Sequence, residues 1–310
     1  MTRAAFRVLL VGGGGGLVGR AVVSELAPDH TLRSVHRHPV PREGALGIEW
    51  IREDLTGPVA WAPILDGVDC VITLAWYRFG HERRFRPLYE GLHRLLDASV
   101  RAEVPRFLHL SVPRSTDALE ASFPYLTYKR RFDRELAASG LSYAVLRPSA
   151  LFGPGDVLLG VMLRTIHRYP FFPMFGDGTY HLSPIASADL ARVIRRFAHS
   201  RESGTFDLGG PVRYEYRELT DLMFRLLGKR PRYWRLTPKG SLRLSWLLQS
   251  LGSRLLYEYE VEWLLADLLG LPAYTGLAQP LERVEPYLES EARRFRRDEP
   301  APGEGFPRQG

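Results

Sequence analysis

The chain has 310 residues, 45% hydrophobic and 25% charged, an ordinary globular balance with room for a nucleotide-binding core and a smaller appended lobe. Its formal net charge of +7 is nearly all arginine spread along the chain, with only Lys129, Lys229 and Lys239 as lysines; no basic patch interleaved with aromatics stands out, which argues against nucleic acid as a partner. The lone Cys70 excludes an internal disulfide, and the lack of a signal peptide or a bilayer-length apolar run makes a cytoplasmic protein the expectation.

Residues 8–11 form a short apolar run, and five glycines, 12–16, follow it directly. Leu17, Val18, Ala21, Val22 and Leu26 then repeat at helical spacing, and Pro28 stops the helix. Strand, glycine turn and helix in this order suit a pyrophosphate. In Gly13-x-x-Gly16-x-x-Gly19 the first glycine makes the turn, the second lets the backbone approach the phosphates, and the third lets the helix pack on the strand. Gly15, Gly16, Leu17 and Val18 then carry the free N–H groups of the helix start.

Residues 31–36 are expected to be the second strand. The acidic residue that holds a ribose 2′-hydroxyl in the NAD form of such a fold is missing at its end, and Arg37 stands there instead. A guanidinium in that place can clamp a 2′-phosphate, so NADP is the expected cofactor, with NAD as the alternative. Arg33 is the other candidate for the clamp. His36 and His38 have no third ligand nearby, and no metal is expected.

Residues 48–51 read as a third strand, followed by Asp54 and Leu55. The β-branched run 68–75, bounded by Gly67, is the fourth; it sets Trp76 and Tyr77 at the carboxyl edge of the sheet, where ligands bind. Leu88, Leu92, Leu95 and Leu96 share one face of a helix, and residues 106–111 are the fifth strand. Tyr125 and Lys129 lie four apart on an amphipathic helix and so share a face. An ammonium there lowers the phenol's proton affinity and can hold ribose hydroxyls. The phenol exchanges a proton with a substrate oxygen while hydride moves to or from a nicotinamide.

The glycine turn, Tyr125-x-x-x-Lys129 and the string Leu146-Arg147-Pro148-Ser149 through Phe152-Gly153-Pro154-Gly155-Asp156 together resemble the atypical or extended branch of the short-chain dehydrogenase/reductase superfamily, the epimerase/dehydratase-like proteins. The nearest subgroup is that of the nucleotide-binding accessory subunit of respiratory complex I and its bacterial relatives. Leu208-Gly209-Gly210-Pro211 and Tyr216-Arg217-Glu218-Leu219 extend the resemblance to about residues 6–232, with a weaker echo at 281–288.

The resemblance implies a Rossmann-type, doubly wound parallel α/β sheet in residues 1–148. A smaller C-terminal α/β substrate lobe in 149–290 is interleaved with it. It further implies that Asp54 accepts from the adenine amine and Leu55 packs on that ring. Leu74, Ala75 and Trp76 would lie beside the cofactor, and Pro148 on the nicotinamide side. The third catalytic member is a serine or threonine after the fifth strand: Ser111 is preferred over Ser115 and Thr116. Extended members keep an Asn where Leu88 stands.

Two functions follow as expectations: an NADP-preferring oxidoreductase or epimerase-type enzyme working at a carbonyl or carbinol, or a non-catalytic nucleotide-binding structural or redox-sensing subunit of a larger complex. Aromatics at Tyr169, Phe171, Phe172 and Phe175 read as core or as the roof of a pocket. Residues 241–270 read as apolar helix flanked by Arg243 and Arg254, packed on the lobe or lying on a membrane surface. The tail from 291 to 310 reads as disordered. The small-molecule substrate and the oligomeric state have no fingerprint.

Overall fold

The computed structural model describes residues 6–12, 15–37, 48–77, 82–156, 158–250 and 258–297. Gly13, Gly14, His38, Leu251, Arg254, Leu255, Leu256 and the tail from 298 lie outside the described residues, as do the side chains of Leu244 and residues 246–250. In chain order the elements are β1 (Arg7–Val11), α1 (Leu17–Leu26), β2 (Thr31–His36), β3 (Glu49–Arg52), α2 (Trp61–Leu65), β4 (Cys70–Thr73), α3 (Glu82–Arg101), β5 (Arg106–Leu110), α4 (Asp117–Ser122), α5 (Pro124–Ala138) and β6 (Tyr143–Pro148). There follow β7 (Leu151–Phe152), α6 (Leu159–Arg168), β8 (Phe172–Phe175), β9 (His181–Leu182), β10 (Ile185–Ala186), α7 (Ser187–Ala198) and β11 (Gly204–Leu208). The last are β12 (Tyr214–Glu215), α8 (Tyr216–Leu226), β13 (Tyr233–Leu236), α9 (Pro238–Ser250), α10 (Glu258–Leu265) and α11 (Val284–Arg296). Two compact units result: Met1–Pro148 with Ala188–Asp207, and Ser149–Ser187 with Leu208–Gly310.

The first unit is built on a seven-stranded sheet ordered β11-β6-β5-β4-β1-β2-β3. From β6 to β3 every pairing is parallel. The chain steps outward from β1 to β2 and β3, then crosses back to β4 on the other side of β1. The order therefore reverses between β1 and β4, the point at which doubly wound sheets take their ligands. Strands β1 and β4 are continuous apolar runs because both faces of the sheet are covered: Leu9, Leu10, Val71 and Ile72 are all buried. One core cluster joins Leu9, Val71, Phe107 and Val145 of the strands to Leu92 and Leu95 of α3 and Phe132 and Leu136 of α5.

Helix α3 starts at Glu82, a turn and a half before the expected Leu88, and carries Pro87 inside it. The missing N–H falls early in a 20-residue helix whose long apolar face holds it in place. Gly91 of α3 crosses the loop after β3 so closely that a Cβ would sit 1.9 Å from the Leu55 carbonyl oxygen.

The second unit holds three two-stranded pairings, β10 with β7, β12 with β9 and β13 with β8. Its aromatic stretch splits: Phe172 and Phe175 are buried, whereas Tyr169 and Phe171 are exposed. The apolar stretch from 241 resolves into α9 and α10. The tail expected to be disordered from 291 is instead helical through Arg296, in α11. Val284, Leu288 and Ala292 are buried at helical spacing, and the Tyr287 hydroxyl donates to Asp156. The arginine-rich composition of the tail hid that spacing; Arg294 pairs with Glu291 at 2.5 Å. Among the described residues, no helix is long and apolar enough to cross a membrane.

Candidate dinucleotide site

At the switch point the Val11 carbonyl accepts from the N–H groups of Leu74 at 2.9 Å and Ala75 at 3.0 Å. The next residue, Gly12, donates to the Val35 carbonyl at 2.8 Å, so the ends of β1, β2 and β4 converge on one turn. Gly12 has φ +77°, and a Cβ there would lie 2.4 Å from the Ala75 Cβ. Conformation and contact both demand glycine. Gly13, to which the sequence pattern assigns the turn, lies outside the described residues; at the end of β1 the position that needs a left-handed glycine is Gly12. Gly16 caps α1 in an extended conformation, with no side-chain cap and no acidic residue in the first turn. The N–H groups at the start of α1 therefore lack a side-chain acceptor and suit an anion. Gly15 is exposed with open space where a Cβ would stand, Leu17 and Val18 are half-buried, and Gly19 is buried.

Arg37 lies just past β2, half-buried, and donates to the Tyr77 hydroxyl at 3.1 Å. Arg84 stacks over the same ring at 4.3 Å. Tyr77 thus holds two guanidinium groups at the carboxyl edge of β2 and β4. Arg33, the other candidate, is occupied elsewhere: it donates to Glu49 at 2.7 Å and to the Ile64 and Asp66 carbonyls at 3.0 and 2.9 Å. Asp54 is exposed; one oxygen accepts the Thr56 N–H and hydroxyl at 2.9 and 2.8 Å, which fixes its loop. Leu55 is buried, and Arg94 of α3 donates to its carbonyl at 3.0 Å.

The Tyr125–Lys129 pair sits on the first turns of α5. Pro124 takes the first helical position, where its absent N–H costs no bond. Both side chains converge on Trp76: the Lys129 ammonium lies 4.7 Å from the centre of its ring, and the half-buried Tyr125 ring meets it edge-on at 6.2 Å. Phe85 closes on Tyr125 at 5.7 Å. Among the described residues the buried indole N–H of Trp76 has no hydrogen-bond partner. A buried donor left open on the ring that both side chains approach fits a bound polar group, because burying it without an acceptor forfeits a hydrogen bond.

Lys129 is 3% exposed and donates to the Leu110 carbonyl at 2.6 Å. Burial disfavours its charge and brings its pKa down to about 7; Arg130 pushes the same way and Asp133 opposes. Below it, His109 Nε2 lies 3.5 Å from the ammonium nitrogen, and His109 Nδ1 lies 2.6 Å from the Thr73 hydroxyl. Since that hydroxyl reaches the Leu108 carbonyl at 3.3 Å, its oxygen is free to accept from Nδ1, which turns the Nε2 lone pair toward Lys129. Burial, then Lys129 and Arg130, push the His109 pKa well below the usual histidine range, so the ring is neutral.

The structure gives each candidate third hydroxyl another partner. Ser111 donates to Asp133 at 2.9 Å, Ser115 accepts from Arg130 at 3.3 Å, and Thr116 caps α4 by accepting from the Leu119 N–H at 3.3 Å. Asp133 also accepts from Arg130 at 2.8 Å and Arg147 at 3.1 Å. Pro148 ends β6, buried. Sequence reasoning missed His109, Asp133 and Arg130. The available signal was the set of polar residues in otherwise apolar strand and helix faces, beside the Tyr-x-x-x-Lys turn. Among the described residues no group of three or more His, Cys, Asp or Glu could hold a metal.

A family model described as NAD(P)H-binding matches residues 13–198. Over 253 residues the chain is 27% identical to a ceramide reductase of Caulobacter vibrioides, covering 79% of this chain and 78% of that one. It is 30% identical over 97 residues to the mitochondrial NADH dehydrogenase [ubiquinone] 1 alpha subcomplex subunit 9 of Arabidopsis thaliana, covering 30% of this chain and 24% of the relative. The chain thus matches only about a quarter of that subunit's length. A nucleoside-diphosphate-sugar epimerase structure from Staphylococcus aureus superposes with a TM-score of 0.73 at 14% identity, over 92% of this chain and 100% of that one, which is a likeness of fold. The chain belongs to the NAD(P)H-binding family.

Proposed function

We propose that this chain is an NADPH-preferring oxidoreductase that reduces a carbonyl or oxidises the matching carbinol, with Tyr125 as acid/base and Lys129 as its tuner. The observation that carries this reading is the convergence of a half-buried phenol and a buried ammonium on Trp76, at the carboxyl edge of the sheet. Arg37, held by Tyr77, is the group that would take a 2′-phosphate. The turn at Gly12 and the start of α1 would take the pyrophosphate. When bound, the nicotinamide cofactor supplies or accepts the hydride.

In the reductive direction Tyr125 gives its phenolic proton to the substrate oxygen. A charged Lys129 beside it stabilises the phenolate left behind and is therefore needed in its protonated form. His109 lies 3.5 Å from the Lys129 ammonium and, being neutral, adds no competing positive charge. With Ser111 engaged by Asp133, orientation of the substrate oxygen falls to Tyr125 and the open Trp76 N–H.

Similarity to a reductase over most of both chains supports turnover, whereas the complex-subunit relative matches over a much shorter stretch. The deciding experiment follows NADPH oxidation by wild type and Tyr125→Phe against a panel of alkyl and aryl ketones. Loss of about 10²–10⁴-fold in rate, with cofactor affinity retained, supports the enzyme. Cofactor binding without turnover on any member, or turnover indifferent to Tyr125, favours the non-catalytic subunit.

A further inference from the structure

In sequence the cations look dispersed; the fold brings two acid-free stretches side by side. Residues 157–176 and 222–250 contain no Asp or Glu, and the second stretch alone holds seven Lys and Arg, as many as the chain's whole formal excess of +7. β8 and β13, one from each stretch, pair in parallel with Phe172 opposite Tyr233 and Trp234 opposite Pro173. Just before them the Phe172 N–H donates to the Arg232 carbonyl at 2.9 Å. The Lys229 ammonium ties the end of α6 to the approach of β13 by donating to the Ile166 carbonyl at 2.9 Å and to that of His167. Arg168, Arg230 and Arg232 are therefore neighbours, and all three are exposed.

The same spot gathers exposed aromatics. Among the described residues the exposed large hydrophobic side chains are Val100, Tyr169, Phe171 and Trp234, and three of these four border this pairing, at 55, 55 and 56% exposure. Strand alternation puts Phe171 and Pro173 on one face with Arg232 and Trp234, while Phe172 and Met174 turn into the core of the unit. Of the nearby acids, Asp221 is taken up on the inner side by the Tyr233 hydroxyl at 2.5 Å, and Asp177, just past β8 and near Arg235, accepts from the Thr179 N–H and hydroxyl at 3.0 and 2.8 Å. β13 then leads straight into α9, whose sequence from 242 to 248 holds four leucines and a tryptophan and no acid.

We propose that this face of the β8–β13 pair docks on an anionic lipid surface. Trp and Tyr combine an apolar body with a polar tip and settle at head-group depth. Arginines with no carboxylate among them match acidic head groups, at about fivefold in affinity for each one near the surface. Three different aromatics beside one strand pair, rather than a row along a groove, fit insertion better than the stacking of successive bases.

The test is co-sedimentation of the full chain with vesicles of phosphatidylcholine alone and of phosphatidylcholine mixed with phosphatidylglycerol. Wild type should sediment with the mixed vesicles only and be released by salt. The Phe171→Ser/Trp234→Ser pair should lose at least about tenfold, and Arg232→Gln about fivefold, with unchanged melting temperature and NADPH binding. Should the double variant misfold, Trp234→Gln alone carries the same expectation. Wild type left in the supernatant, equal binding to neutral vesicles, or variants that bind like wild type would overturn the proposal. So would a Trp234-dependent dimer on size exclusion without vesicles, or equal competition by a single-stranded oligonucleotide. The vesicle assay contains no cofactor, so its failure and that of the oxidoreductase reading are separate results.

Discussion

Lys129 and His109 stand 3.5 Å apart in the same buried pocket, and burial moves both toward neutrality. Their effects on stability fall in different pH windows. Lys129 has a folded pKa of about 7 against 10.5 for an ordinary lysine, so between those values the unfolded chain holds a proton the folded chain lacks. Stability should therefore rise with pH across that window, and Lys129→Met should flatten the rise in a series of thermal melts. A melting curve with the same slope in the variant would contradict the burial of this charge. His109, depressed from 6.5, works below that pH: the unfolded chain takes up a proton the folded one refuses, and stability falls as the solution is acidified. His109→Gln should lose that acid sensitivity in the same melts.

Much of the site could be read from the sequence at this scale. Tyr125 and Lys129 announced themselves because helical geometry fixes what a spacing of four means. Gly12 did not, because five adjacent glycines satisfy the same pattern in several registers, and only the end of β1 selects one. His109 was hidden because a polar residue in a buried strand leaves no periodic mark.

At the scale of elements, one carboxylate gathers the polar contacts between α5 and the sheet, beside the apolar packing of Phe132 and Leu136. Asp133 receives Arg130 of its own helix, Ser111 just after β5 and Arg147 of β6, while Arg130 also reaches the Val112 carbonyl at 3.0 Å and that of Pro113. Asp133→Ala strips the buried Arg130 of its counter-charge and should cost about 3–5 kcal/mol in denaturant unfolding. A cost below about 1 kcal/mol, typical of exposed ion pairs, would show that the cluster is solvated. Strands β1 and β4 were legible because each is a short apolar run beside glycine turns, whereas β2 and β3, with Arg33, Glu49 and Arg52 among their residues, were placed by their order in the chain. The start of α3 and the length of α11 were not. In the first a proline sits inside a helix that long-range packing sustains, and in the second arginines mask buried positions four apart.

For the whole molecule, the chain leaves the first unit at Pro148 and returns to it with α7 and β11. Arg106, 3% exposed at the start of β5, joins the two visits: it donates to the Phe197 carbonyl at 3.0 Å, the Glu202 carbonyl at 2.7 Å and the Ser142 hydroxyl at 2.7 Å. A fragment of residues 1–148 leaves two of those three donors buried without acceptors and β6 as a bare edge. It should lack a cooperative thermal transition that the full chain has; a fragment melting like the full chain would show the returning segment to be dispensable.

The account rests on a dinucleotide lying across the Gly12 turn with its 2′-phosphate at Arg37. Calorimetric titration of the full chain with NADPH and with NADH, in wild type and Arg37→Ala, tests this most directly. The account predicts saturable binding of both, tighter for NADPH, with the variant losing about 10–100-fold toward NADPH and almost nothing toward NADH. No saturable binding of either nucleotide, or an equal loss for both, would contradict it.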